Sequence, residues 1–148
     1  MNKQQTASLL IEMMENVWFQ FHQVEKRFIP FELNKQQEIL LSYIIRNRLK
    51  SPSFFAERMG ISKSAVSQLI NKLESRRFVK RVQLTDDKRS TALDLDELGL
   101  RYEEAYDRFY NRFMDKCGPL FTEEELYHTL QFFKTTQSVL TELMESSD

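Results

Sequence analysis

Between Ser62 and Leu95 the spacing of apolar residues changes from that of a helix to that of a strand. Val66, Leu69, Ile70 and Leu73 recur at steps of three and four, as one face of an α-helix does. Val82 and Leu84, and then Leu93 and Leu95, recur at steps of two, with the polar run "TDDKRS" (residues 85–90) between the pairs. That run marks a hairpin tip. Three glycines and three prolines in the whole chain leave few turns, so long helices are favoured over a many-stranded sheet. The expected fold is mainly α with one small β-hairpin.

The helices can be bounded from local signals. Leu10, Met13, Val17, Phe21, Val24 and Phe28 form one stripe on a helix over about 5–29, which Pro30 ends. Asn34, with Gln37 three residues on, caps a second helix reaching about Arg48, with Leu40, Tyr43 and Ile44 on one face. Ser51 as N-cap, Pro52 at the first helical position and Gly60 at the end bound a helix of two turns. Ser62 opens the next, from Lys63 to about Arg76. Beyond the hairpin, Asp96 caps a helix carrying Leu98, Tyr102, Ala105, Phe109 and Phe113, broken at Gly118-Pro119. Thr122 and Glu125 make a capping box for a last helix with Leu126, Leu130, Phe133, Leu140 and Met144. At 148 residues this is expected to be one domain.

The net charge of −1 conceals a segregation. From Arg46 to Leu93 there are 12 Lys and Arg against 4 Asp and Glu, a balance of +8, while the rest of the chain stands at −9. A basic middle between acidic ends predicts an anionic partner for the middle alone. Cys117 is the only cysteine, which excludes an internal disulfide. Glu12 and Glu15 interrupt the first apolar stretch, and no later segment has the apolar length of a membrane span. A cytoplasmic location with no membrane partner is expected.

The two short helices joined by "MGIS" form a helix-turn-helix candidate. Ala56 allows a close crossing, Gly60 supplies a positive φ, and Val66 and Leu69 plug the second helix onto the first. Opposite that apolar face stand Ser64, Gln68, Asn71 and Ser75, flanked by Ser67 and Lys72. This outer face bears no acid, and Glu74 lies nearer the core side. Ser, Gln and Asn both donate and accept, as the edges of bases require, and Lys72 suits phosphate. A merely solvated face would usually mix Glu with Lys, and Arg76, Arg77, Lys80 and Arg81 follow directly.

A helix-turn-helix followed by a two-stranded hairpin is a winged helix. The run "FFAERMGISKSAVSQLINKLESRRFVKRVQLTDDKRSTALDLDELG" resembles the DNA-binding core of the multiple antibiotic resistance regulator (MarR) family. The matching parts are "MGISKSAVSQLINKLE" for the recognition helix, "DKR" for the wing and "LDELG" leading out of it, with helices before and after in the family's order. Two positions depart from the family. Arg77 stands where Gly is common, so a turn built in another way is expected, and Asp96 replaces the usual capping Thr. The resemblance implies a homodimeric regulator of transcription, a repressor, on a pseudo-palindromic site in double-stranded DNA. Residues 34–95 would form the DNA-binding lobe, and residues 5–29 and 97–145 the dimerisation helices. The DNA contacts expected are Ser62, Lys63, Ser64, Ser67, Gln68, Asn71, Lys72, Arg76 and Arg81, with Asp87, Lys88 and Arg89 in the wing. Arg89 would probe a minor groove while Asp87 holds it or braces the wing through Arg81.

The resemblance also implies release by a small aromatic ligand, for which Trp18, His22 and Tyr43 are the candidates, although a core or interface role weighs more for them. Cys117 lies near a helix end and is expected to be inert. His22 and His128 are the only histidines and lie far apart, so neither a metal site nor any cofactor is expected. Nothing in the sequence supplies a catalytic third group for Cys117 and His128, or a Gly-rich phosphate loop, so an enzyme is not expected. The competing reading is a winged-helix module that binds proteins and no DNA, against which the +8 segment and the acid-free helix face argue.

Overall fold

The computed structural model describes residues 1–86 and 90–146. Six helices and one hairpin follow in the expected order: α1 (Lys3–Phe28), α2 (Lys35–Arg46), α3 (Pro52–Met59), α4 (Lys63–Ser75), β1 (Val79–Gln83), β2 (Thr91–Leu95), α5 (Glu97–Cys117), a 3₁₀ turn (Gly118–Leu120) and α6 (Glu123–Glu145). The strands are antiparallel, with Val79 opposite Leu95, Arg81 opposite Leu93 and Gln83 opposite Thr91. The chain divides into two compact units, residues 1–109 and 110–148. Among the described residues no helix is long and apolar enough to cross a membrane.

The core of the first unit is the three-helix and hairpin cluster. Phe55, Phe78, Leu40, Leu41, Ile44, Val66, Ile70, Leu73, Val79, Leu93 and Leu95 are its fully buried side chains. Burying each such side chain stabilises the fold by about 1.5–3 kcal/mol before entropy is counted. Phe31, in the segment between α1 and α2, sets its ring edge-on to both Phe78 (5.9 Å) and Tyr102 (5.5 Å). Phe21 and Phe28 of α1 meet Phe109 of α5 at 5.3 and 5.6 Å.

The capping residues act as their spacing predicts. Asn34 and Gln37 form a full capping box, Ser51 accepts from the Phe54 N–H, and Ser62 from the Ala65 N–H. α2 stops at Arg46, two residues early. The backbone there leaves the helix so that Leu49, at φ +60°, and Lys50 can bond the edge of β2. Leu49 N–H donates to Leu93 O at 3.0 Å and Leu93 N–H to Lys50 O at 2.9 Å. Within β1, Val79 is the buried anchor and Val82 is half-buried, while Leu84, just past the strand, is 52% exposed. The strand's period predicts the hairpin correctly, but its outer half runs beyond the core.

The turn after α4 corrects one expectation. Phe78 N–H donates to Leu73 O and Arg77 N–H to Glu74 O, both at 2.9 Å, which together make a Schellman turn. Arg77 takes the left-handed position itself, at φ +60°. The turn is thus built as a glycine would build it, at a cost of about 1 kcal/mol for the side chain. The Arg77 guanidinium lies 3.1 Å from Glu97 and 3.9 Å from Asp96. Asp96 accepts through Oδ1 from the adjacent Glu97 N–H, at 2.7 Å.

The second unit contains the end of α5, the 3₁₀ turn and α6. Gly118-Pro119 breaks the helix as expected, and Cys117 before it is half-buried. Thr122 and Glu125 form the capping box, whose hydrogen bonds hold the Glu125 carboxyl below its ordinary pKa.

Gly99 sits where α5 crosses the α4–β1 turn, and a Cβ there would lie 2.0 Å from the Phe78 carbonyl oxygen. Gly60, at φ +64°, has open space around a Cβ. Gly60→Ala should therefore cost about 1 kcal/mol of backbone strain, and Gly99→Ala at least about 3 kcal/mol by overpacking against backbone. Urea titration of both variants would check this, and equal midpoints would contradict it.

Candidate nucleic-acid interface

α3 and α4 are joined by a second Schellman turn. Ile61 N–H donates to Ala56 O and Gly60 N–H to Glu57 O, both at 3.1 Å. Ala56 is buried, so the helices meet closely, and α4 seats Val66, Leu69, Ile70 and Leu73 inward. The opposite face is fixed by that seating. Ser62, Lys63, Ser64, Ser67, Gln68, Asn71, Lys72 and Ser75 are all exposed along it. Lys63 and Lys72 have no acid within ion-pair distance among the described residues. Glu74, the one acid on α4, is half-buried and paired with Arg81 at 3.2 Å.

The basic residues after α4 divide into two kinds. Arg77 turns to the start of α5, and Arg81 turns back onto α4, where it bonds Asn71 as well as Glu74. Arg76 is exposed and lies with its guanidinium 5.1 Å from the centre of the Phe78 ring. Spacing alone had not singled out Lys50 and Arg58, which flank Phe54 of α3 at 5.8 and 5.6 Å. Asp87, Lys88 and Arg89 lie outside the described residues, and their wing roles remain as the sequence proposes them.

The base of the wing is clamped by Arg48. Its Nη1–H donates to Asp94 Oδ1 at 2.7 Å and its Nη2–H to Glu103 Oε2 at 2.6 Å, joining the end of α2 to β2 and α5. Burial acts to raise the Asp94 pKa, but the Arg48 hydrogen bond, the Leu95 N–H and the Arg48 charge together hold it below the ordinary value. The same pairs outweigh burial for Arg48 and raise its pKa.

With this geometry in place, the comparison with known families is specific. Residues 32–90, from the approach to α2 to the residue before β2, match the MarR family. Over that span the chain is similar to the MarR family. Solved structures agree in fold. The Streptococcus pneumoniae FabT, solved in complex with DNA, aligns over 96% of this chain and 99% of its own, with a TM-score of 0.74 and 19% identity. A MarR family regulator from Neisseria meningitidis covers 100% of both chains, with a TM-score of 0.67 and 17% identity. The S. aureus MepR bound to ethidium bromide covers 90% of this chain and 95% of its own, with a TM-score of 0.63 and 19% identity. Comparison with curated proteins gives no match.

The candidate ligand residues are only partly brought together. Lys35, at the start of α2, lies 4.9 Å from the Trp18 ring centre and 3.4 Å from His22 Nδ1. Glu25 Oε2 stands 3.4 Å from the same His22 nitrogen. Tyr43 is half-buried further along α2, and its carbonyl accepts from the Asn47 side chain at 3.0 Å. Lys35 carries no local sequence signal for this role, since it lies 13 residues from His22. Among the described residues no group of three or more His, Cys, Asp or Glu side chains could hold a metal ion.

The Asp94 shift has a sign that can be tested. A carboxylate depressed in the folded state adds stability that is complete above its unfolded value and is lost as pH falls through the folded one. The Asp94 contribution should be fully present above pH 3.8 and disappear below it. The difference in stability between wild type and Asp94→Asn, followed by urea unfolding, should shrink as pH drops below that value. A pH-independent difference would remove Arg48–Asp94 as a charge clamp.

Proposed function

We propose that this chain is a sequence-specific double-stranded DNA-binding regulator of transcription, a repressor, acting as a homodimer on a pseudo-palindromic operator. The observation that carries this reading is the exposed, acid-free outer face of α4, held outward by a buried apolar face within a winged helix similar to the MarR family. Two such helices, one per protomer, would enter successive major grooves about one helical turn apart. Ser62, Lys63, Ser64, Ser67, Gln68, Asn71 and Lys72 would contact bases and phosphates, with Arg76 and Arg81 beside them. Lys88 would meet backbone and Arg89 the minor groove, where narrow grooves concentrate negative potential. The FabT structure, solved with DNA, supports the same use of this fold.

Residues 34–95 would serve as the DNA-binding lobe and 5–29 with 97–145 as dimerisation helices. α1 and α6 hold no buried residue, although α1 exposes Leu10, Val17 and Val24, and α6 exposes Leu126, Phe133 and Leu140. Apolar faces of this extent favour a second copy. A small aromatic ligand binding near Trp18, His22 and Tyr43 would release DNA, and the MepR structure with ethidium bromide supports a ligand-responsive reading. No enzymatic activity is part of this proposal.

Binding to a fragment of the chain's own promoter region should weaken steeply with salt, because each neutralised phosphate releases counterions. Lys72→Ala should lower affinity for every sequence and reduce the slope of log affinity against log salt by about one. Arg89→Ala should weaken binding while sedimentation still shows twice the 17.8 kDa chain mass. Salt-independent or absent binding to all promoter fragments would favour the protein-binding alternative.

A further inference from the structure

Arg81 stands on β1 with its guanidinium turned onto the recognition helix α4. Its Nη2–H donates to Asn71 Oδ1 at 3.0 Å, and its Nε–H donates to Glu74 Oε2 at 3.2 Å. A guanidinium has N–H donors and no acceptor. The two arms of an amide are otherwise nearly alike, but beside a donor-only partner the facing atom must be the carbonyl oxygen. The NH₂ group of Asn71 is thereby held on the other arm of the planar amide, on an exposed residue of α4. It has no acceptor among the described residues. Glu74 completes the arrangement by neutralising Arg81, so neither a lone acid nor a lone base is added to that edge of the helix.

We propose that Arg81 is a positioning residue that holds Asn71 as a donor-only contact, so that Asn71 selects a hydrogen-bond acceptor on DNA. This rests on the DNA-binding reading above. A free Asn pairs bidentately with adenine, donating to N7 and accepting from N6. Arg81 takes one of the two lone pairs of that carbonyl and turns the oxygen toward β1, so the arm left for DNA is the donating one. It then fits guanine N7 or O6, adenine N7, thymine O4 or a phosphate oxygen, and meets the amino group of cytosine with donor against donor. Arg81 is correspondingly removed from the set of phosphate contacts.

Selection of duplexes from a random-sequence pool, followed by titration of the selected duplex at several salt concentrations, tests this. Asn71→Asp keeps an acceptor for Arg81 but replaces the outward donor with an acceptor, and affinity should fall by about tenfold or more. The double variant Glu74→Gln/Arg81→Ala preserves local charge and frees the amide. If Asn71 meets a base edge, the double variant relaxes preference at one base pair per half-site and leaves the others unchanged. If it meets phosphate, affinity falls uniformly across sequences. In both cases the salt slope stays that of wild type. A slope shallower by about one with unchanged base preference would mean that Arg81 itself contacts phosphate, and would overturn the inference. Wild-type affinity and preference in either variant would also overturn it. Should the double variant melt early, Asn71→Asp alone decides. A wild-type chain that enriches no duplex removes the DNA reading, and this inference with it, before any variant is compared.

Discussion

The turn at Arg77 and Phe78 is the constraint on which the winged-helix lobe depends. Its Schellman hydrogen bonds end α4, and its two carbonyls then serve the next helix. Phe78 O accepts from Asp96 N–H and Arg77 O from Leu98 N–H, both at 3.0 Å. Recognition helix, wing and α5 therefore meet through four backbone hydrogen bonds within two residues. Phe78 itself is buried against Phe31 and begins the segment that becomes β1. A side chain in the left-handed position is tolerated here because these bonds over-determine the backbone. The Arg77 guanidinium then returns part of that cost by lying against Glu97 and Asp96, although such exposed pairs contribute little individually.

The same economy appears in how the lobe uses its arginines. A basic surface attracts an anionic partner, yet a surface of uncommitted arginines would also repel itself. Arg48 is committed to Asp94 and Glu103, Arg77 to the α5 start, and Arg81 to Glu74 and Asn71. These three join elements to one another. Lys63, Lys72 and Arg76 stand on or beside the outer face of α4 instead. The +8 balance of the middle segment thus overstates the charge offered outward and understates the charge used for positioning.

What was legible in the sequence was what local chemistry determines. Asn34 with Gln37, Ser51 with Pro52, and Thr122 with Glu125 mark helix starts because a cap and its N–H partner lie within three residues. The inward and outward faces of α4 followed from its period for the same reason. The features that escaped are contacts between distant residues. Leu49 and Lys50 bond Leu93 from more than 40 positions away, which shortened α2, and Arg81 meets Asn71 across ten. At Arg77 the sequence pointed the wrong way, because a preference for glycine is a matter of about 1 kcal/mol and a well-bonded turn overrides it. Val82 and Leu84 show a further limit: alternation identifies a strand but does not say how far the core extends beneath it.

The long helices at the ends of the chain make the strongest case for a second protomer. A helix of α1's 26 residues or α6's 23 gains its stability mostly from packing an apolar face, since propensity alone leaves isolated helices marginal in water. Both begin with complete capping boxes, Asn2 with Gln5 and Thr122 with Glu125, so their starts are secured locally. Capping satisfies end groups and covers no hydrocarbon. Leu10, Val17 and Val24 of the first unit and Leu126, Leu130, Phe133 and Leu140 of the second are exposed. Their removal from water requires another surface with a matching apolar stripe, and a copy of the same chain carries one. An isologous pairing would also supply the two-fold relation that two recognition helices need to read a pseudo-palindrome. On the proposed homodimer, the apolar ends and the polar face of α4 would be two requirements of one assembly.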